Sequence, residues 1–105
     1  MPGVLFDRII NVNLVGDNQI IAAFTGEFIN VFQLFLVCEH DVTIKFKEAE
    51  PDIDLTKNIF LNRSIPFILP YTSVPWFQTT KSARFEINLD KAVQVSGRIY
   101  YSQNT

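Results

Sequence analysis

The sequence predicts an all-β domain, an antiparallel β-sandwich of jelly-roll type with about eight short strands. Three observations predict it. Apolar and polar residues alternate with period two over much of the chain, turn-forming residues recur roughly every eight to twelve positions, and no segment carries a convincing helical pattern.

The clearest strand is Asp41-Val42-Thr43-Ile44-Lys45-Phe46-Lys47, where Val42, Ile44 and Phe46 share one face. Arg84 to Asp90 repeats the arrangement, with Phe85, Ile87 and Leu89 inward. A third copy sets Val93, Val95, Gly97, Ile99 and Tyr101 against Gln94, Ser96, Arg98 and Tyr100. Each of these three predicts one buried and one wet face. Phe28 to Cys38 differs, because Phe28, Phe32, Leu34 and Leu36 fall on one face and Ile29, Val31, Phe35 and Val37 on the other. A strand apolar on both faces has to be covered on both, by another layer of the chain or by a second molecule.

Asn18 to Thr25 reads as the preceding strand, with Gly16-Asp17-Asn18 as the turn before it and Gly26-Glu27 as the tight connection of a hairpin. Val4 to Leu14 reads as a first strand, and residues 1–14 as a candidate interface strand or arm. Glu48-Ala49-Glu50-Pro51-Asp52 marks a loop, since Pro51 cannot donate to a ladder. Ile53 to Asn62 reads as strand plus irregular connection. Ile65 to Leu69 is an edge strand, given Pro66. Pro70 to Phe77, with prolines at 70 and 75, is a structured loop.

The 105 residues suit one domain with one core, spanning 1–105. Apolar residues make up 48%, but charged residues only 19%, below the roughly 25% usual for soluble proteins, so part of the surface is expected to face protein. Eleven acids against nine bases give a net charge of −2, the wrong sign for holding a phosphate backbone, so no nucleic-acid partner is expected. A single cysteine, Cys38, leaves no internal disulfide. The N-terminal stretch lacks the pattern of a signal peptide, and no apolar run approaches the ~20 residues of a bilayer span. The expectation is a protein made in the cytoplasm, with no membrane partner.

Candidate chemistry is sparse. His40 is the sole histidine and Cys38 lies two residues before it, which offers two zinc ligands where a structural site needs four. Glu48, Glu50, Asp52 and Asp54 alternate around Pro51, but without the glycine of a calcium loop they read as solvated acids. A sandwich this small leaves little room for the facing carboxylates of a glycosidase. Asn62-Arg63-Ser64 matches a glycosylation sequon, which lacks meaning without secretion. The four glycines are isolated, so no phosphate loop exists. No catalytic residues, cofactor or metal are expected. Tyr71, Trp76, Phe77, Tyr100 and Tyr101, with Gln78, Arg98 and Asn104, would be the material of a stacking platform for sugars. The more frequent use of such a Pro-rich aromatic loop is a plug over the sandwich end or a subunit contact.

The order of the motifs carries more than any one of them. Gly16-Asp17-Asn18, Ile20-Ile21-Ala22-Ala23, Gly26, Ile29, Val31, Leu34 and Leu36 precede the Val42-Thr43-Ile44-Lys45-Phe46-Lys47 strand. Leu69-Pro70, Trp76-Phe77-Gln78-Thr79 and Ala92-Val93, Val95, Gly97, Ile99-Tyr100-Tyr101 follow it. Across residues 16–101 this resembles the small all-β virion proteins of tailed bacteriophages, and most of all their capsid decoration, or cement, proteins. Sequences of that kind carry glycines before the Leu-Pro edge and after the Trp-Phe loop, where this chain has Ile65-Pro66-Phe67-Ile68 and Lys81-Ser82-Ala83.

The resemblance implies a non-enzymatic homotrimer at the local threefold axes of an icosahedral head. Its partner there would be the major capsid protein, and its location the outer surface of the virion. Another virion position (head fibre base, tail or adhesion module) and a small carbohydrate-binding sandwich are the alternatives. The apolar contact residues expected on this reading are Val4, Leu5, Phe6, Tyr71, Val74, Trp76 and Phe77.

Overall fold

A computed structural model describes residues 5–50 and 52–105. Among them the chain forms β1 (Phe6–Val12), β2 (Gly16–Ile21), β3 (Phe28–Cys38), β4 (Val42–Ala49), β5 (Ile53–Asp54), β6 (Ile59–Leu61), β7 (Phe67–Leu69), β8 (Phe77–Gln78), β9 (Arg84–Leu89) and β10 (Val95–Asn104), and no helix. Two antiparallel sheets pack face to face. Sheet A runs β1-β10-β3, with β7 and β8 sharing the far edge of β3. Sheet B runs β2-β9-β4, with β5 and β6 sharing the far edge of β4. The ten strands thus occupy eight lanes, two of which are each broken into a pair of short strands.

The predicted periodicities set the core. Val42, Ile44 and Phe46 of β4 and Phe85, Ile87 and Leu89 of β9 point inward from sheet B, facing Val95, Ile99 and Tyr101 of β10. The Phe46 ring sits 5.7 Å from Phe85, 5.1 Å from Phe77 and 6.2 Å from Phe67, so one aromatic cluster ties both sheets together. Full burial of such a ring stabilises the fold by roughly 1.5–3 kcal/mol.

Three expectations are corrected. Gly26 and Glu27 do not close a hairpin, because β2 pairs with β9 in sheet B and β3 with β10 in sheet A, so the connection crosses between sheets. Gly16 to Asn18 is not a free turn but the start of β2. The Asn18 amide points inward and donates to the Leu14 and Gly16 carbonyls, at 2.8 and 3.1 Å, tying the preceding turn to the strand. Glu48 and Ala49 belong to β4 rather than to a loop, and both are buried.

The strand apolar on both faces is resolved by a bulge. Tyr100 pairs with Gln33 but Tyr101 with Val31, which leaves Phe32 as an extra residue on β3. Parity switches there, so Ile29 and Val31 before the bulge and Leu34 and Leu36 after it all point inward. Phe35 and Val37 consequently face out.

Candidate functional site

The two outer faces of the sandwich differ in kind. On sheet B the outward side chains form a charged lattice. Lys47 Nζ lies 2.7 Å from Asp52 and 3.1 Å from Asp17, Lys45 pairs with Asp54 at 3.1 Å, and Arg84 Nε binds Glu86 at 2.6 Å. Asp52, then Asp17, hold the Lys47 ammonium charged well above the ordinary lysine range. The Asp17 carboxyl is in turn pulled below its ordinary value, first by a hydrogen bond from Asn88 and then by Lys47. The prediction of a wet face on β4 and β9 is therefore only partly met, since Lys47 and Glu86 are buried within this lattice.

Sheet A presents its outward residues in rows set by register. Ile9, Arg98, Phe35 and Ile68 line up across β1, β10, β3 and β7, and Val37 follows in the adjoining row with Asn11 and Ser96. Ile9 and Ile68 are 67% and 59% exposed, and Phe35 and Val37 are also open to solvent. The one charge in the row, Arg98, is paired with Asp7 at 3.2 Å. Ile9, Phe35, Val37 and Ile68 thus expose apolar side chains on one face, with Arg98 standing between Ile9 and Phe35.

Toward the other end of the same face the rows become polar. Ser102 pairs with Asn30, and Asn30 with Gln78, across β10, β3 and β8. Gln78 Nε2 donates to Asn30 Oδ1 at 2.9 Å, and Asn30 Nδ2 donates to Asn104 Oδ1 at 2.7 Å. Leu5 and the loop carrying Tyr71, Ser73 and Pro75 wall this end into a groove of about 640 Å³. The Tyr71 ring stacks on Phe32, centroids 6.2 Å apart.

The expected contact residues divide accordingly. Leu5 and Tyr71 line the groove, and Val74 stands exposed at its loop tip. Phe6 leans on Tyr101, 5.7 Å between centroids, at the open margin of the sandwich. Trp76 is anchored by its backbone N–H on the Val31 carbonyl and its indole N–H on the Pro70 carbonyl, with the ring partly exposed. Phe77 turns inward, its ring taken up by Phe46 and Phe85. Val4 lies outside the described residues. Of the aromatic platform considered from sequence, Tyr71, Gln78 and Asn104 meet in the groove. Tyr101 is in the core, Tyr100 lies one row nearer the apolar end, and Arg98 is engaged by Asp7.

Comparisons with family models, curated proteins and solved structures find no match. The chemistry of the remaining candidates is equally spare. Burial, then Asp41, pushes the Cys38 thiol up, away from thiolate reactivity at neutral pH. The acids around residue 51 disperse: Glu48 accepts the Thr80 N–H at 2.9 Å, Asp52 and Asp54 pair with lysines, and Glu50 lies 3.8 Å from Arg84. Among the described residues no three His, Cys, Asp or Glu side chains converge as a metal site.

Ile68 carried no signal as a surface residue of this row, because only strand register aligns it with Phe35, whereas Ile9 lies in the 1–14 stretch expected as an interface strand or arm. Asn30 and Ser102 were missed because each sits on a strand whose other face dominates the pattern. Phe35 and Val37 did carry a signal, the second apolar face of their strand.

Proposed function

We propose that this domain is a non-enzymatic decoration, or cement, protein of a tailed-phage head, seated on the major capsid protein as a homotrimer. The observation that carries the docking part of this reading is the asymmetry of the two outer faces, one a charged lattice and the other bearing Ile9, Phe35, Val37 and Ile68 in register. A protein whose work is attachment requires a surface rather than a pocket, and many modest contacts repeated over a shell add through multivalency. The phage assignment rests on the ordered string of motifs from residue 16 to 101. The lane orders β1-β10-β3-β7/β8 and β2-β9-β4-β5/β6 support a jelly-roll reading of the sandwich, an architecture used by viral capsid domains.

Quantitative mass spectrometry of purified virions tests the proposal through the copy number of this chain relative to the major capsid protein. A near-stoichiometric ratio, hundreds of copies per particle, is the expected result. A handful of copies would move the protein to a tail or a single vertex, and absence from particles would overturn the virion reading altogether. With the ratio in hand, Ile68→Asp should release the protein from particles while leaving its thermal transition in place.

A further inference from the structure

We infer that the groove beside Tyr71 is a binding site for a neutral oligosaccharide, a function separate from attachment through the apolar row. None of the nine residues lining it carries a charge, although charged residues make up 19% of the chain. An anionic ligand such as a phosphate or a uronic acid would find no cation there, so the lining selects an uncharged, polar one.

The kind of polarity is specific. Gln78, Asn30 and Asn104 form a directed chain of amides in which each hydrogen bond fixes the next. Asn30, at its centre, is 4% exposed and held from both sides, whereas Gln78 and Asn104 at its ends are open to solvent. An amide offers two donors and an acceptor, and this chain uses only part of that capacity at its two ends. The free ends thus present donors and an acceptor in fixed positions, which is what vicinal hydroxyls require, because each hydroxyl both gives and takes a hydrogen bond.

Beside the amides stands an aromatic surface. Phe32 backs the Tyr71 ring, with an interplanar angle of 29°, and Tyr71 is 56% exposed. A ring held on one face and open on the other is a platform for the C–H face of a pyranose, and Leu5 and Pro75 extend the apolar contact at the rim. Apolar walls with a few placed polar groups are the general make-up of small-ligand sites, and about 640 Å³ accommodates two or three sugar rings. The groove occupies the Asn30–Ser102 end of the face and the apolar row the Phe35–Arg98 end, so the two are distinct surfaces.

Titration of the ¹⁵N-labelled protein by NMR tests this with no virion present, so its failure is separate from failure of the attachment reading. The probes are maltotriose, cellotriose and tri-N-acetylchitotriose as neutral ligands, and trigalacturonate and a heparin disaccharide as anionic ones. At least one neutral trisaccharide should shift the side-chain amide signals of Asn30, Gln78 and Asn104 saturably, with a Kd on the order of 1 mM or tighter. Tyr71→Ala and Gln78→Ala should each weaken that binding at least tenfold, while Ile68→Asp leaves it unchanged. Asn104→Ala, near the chain end, is the substitute if either variant melts early. Absence of saturable shifts with all three neutral sugars, equal response to the anionic probes, or wild-type affinity in the folded variants would each overturn the assignment.

Discussion

Gly97→Ala is the most informative single change to the fold. Gly97 lies in β10 between Ile10 of β1 and Leu36 of β3, and a Cβ added there would sit 1.8 Å from the Phe35 carbonyl oxygen, 2.8 Å from its carbon and 3.2 Å from Leu36 Cα. All three are backbone atoms, so no rotamer change relieves the contact. Restoring ordinary separation requires β3 to move away from β10 by roughly 1.5 Å. That displacement strains the flanking ladder bonds, worth about 1 kcal/mol each, and adds a misfit of about 1–3 kcal/mol, for a loss of about 3–5 kcal/mol. Against a total of about 5–15 kcal/mol this leaves the domain marginal, and it predicts a urea midpoint lower by about 2 M if the slope is about 2 kcal/mol/M. Urea unfolding followed by circular dichroism and by Trp76 fluorescence measures it. A midpoint within about 0.5 M of the parent with an unchanged slope would refute the reasoning. Because Phe35 itself supplies the clashing carbonyl, the same substitution should also disturb the apolar row and, if the proposed capsid attachment holds, weaken it beyond the loss of stability.

Acid unfolding should report on Asp17. Its folded pKa lies below the unfolded value near 3.9, so its stabilisation is present above that value and lost as pH falls through the folded pKa. Asp17→Asn should therefore flatten the stability profile between roughly pH 2 and 5 in thermal scans, and an unchanged profile would remove Asp17 from the account. Lys47→Met should lower stability by about 1–3 kcal/mol by urea denaturation, since it strips the shared cation from Asp17 and Asp52. Ser82 stands at φ 68° with its Oγ accepting the Gly26 N–H at 2.8 Å. Ser82→Ala should cost about 1 kcal/mol through that bond, while Ser82→Gly should be near neutral, because relief of the left-handed backbone offsets it by about 1–2 kcal/mol. Trp76→Ala should keep the cooperative transition, because the ring is 42% exposed and the core aromatics are Phe46, Phe77 and Phe85.

How much of this was legible beforehand depended on whether the information was local. Period-two alternation placed β4, β9 and β10 and their inward residues, since each strand's face is set by its own sequence. The connection at Gly26 was misread because a glycine turn looks the same whether the chain returns in its own sheet or crosses to the other. Gly26 does have a positive φ of 81°, and what decides the crossing is the pairing of β2 with β9, 60-odd residues away. Lys81-Ser82-Ala83 stands where sequences of the resembled kind carry glycine, and Ser82 there adopts the left-handed conformation itself. The candidate site was the least legible part. Its amides and its apolar row are assembled from four lanes, and their neighbours along the chain face the core.

The Phe32 bulge joins these observations into one mechanism. Without the bulge, strict alternation through β3 would place Ile29, Val31, Gln33, Phe35 and Val37 on one side and Asn30, Phe32, Leu34 and Leu36 on the other. Neither set is a workable core face, since one buries Gln33 and the other buries Asn30 while exposing Ile29 and Val31. With the extra residue, β3 buries Ile29, Val31, Leu34 and Leu36 together, sends Phe35 and Val37 to the apolar row, and turns Phe32 against Tyr71 at the groove. Deleting Phe32 removes the bulged residue itself, so regular alternation should still bury Ile29, Val31, Leu34 and Leu36 and leave Phe35 and Val37 outward, with only the ring beneath Tyr71 lost. Both the deletion and Phe32→Ala should therefore keep a cooperative thermal transition and lose the support beneath Tyr71. Loss of the cooperative transition in the deletion variant, with Phe32→Ala still folded, would mean that the core needs the bend of the bulge and not the parity switch alone.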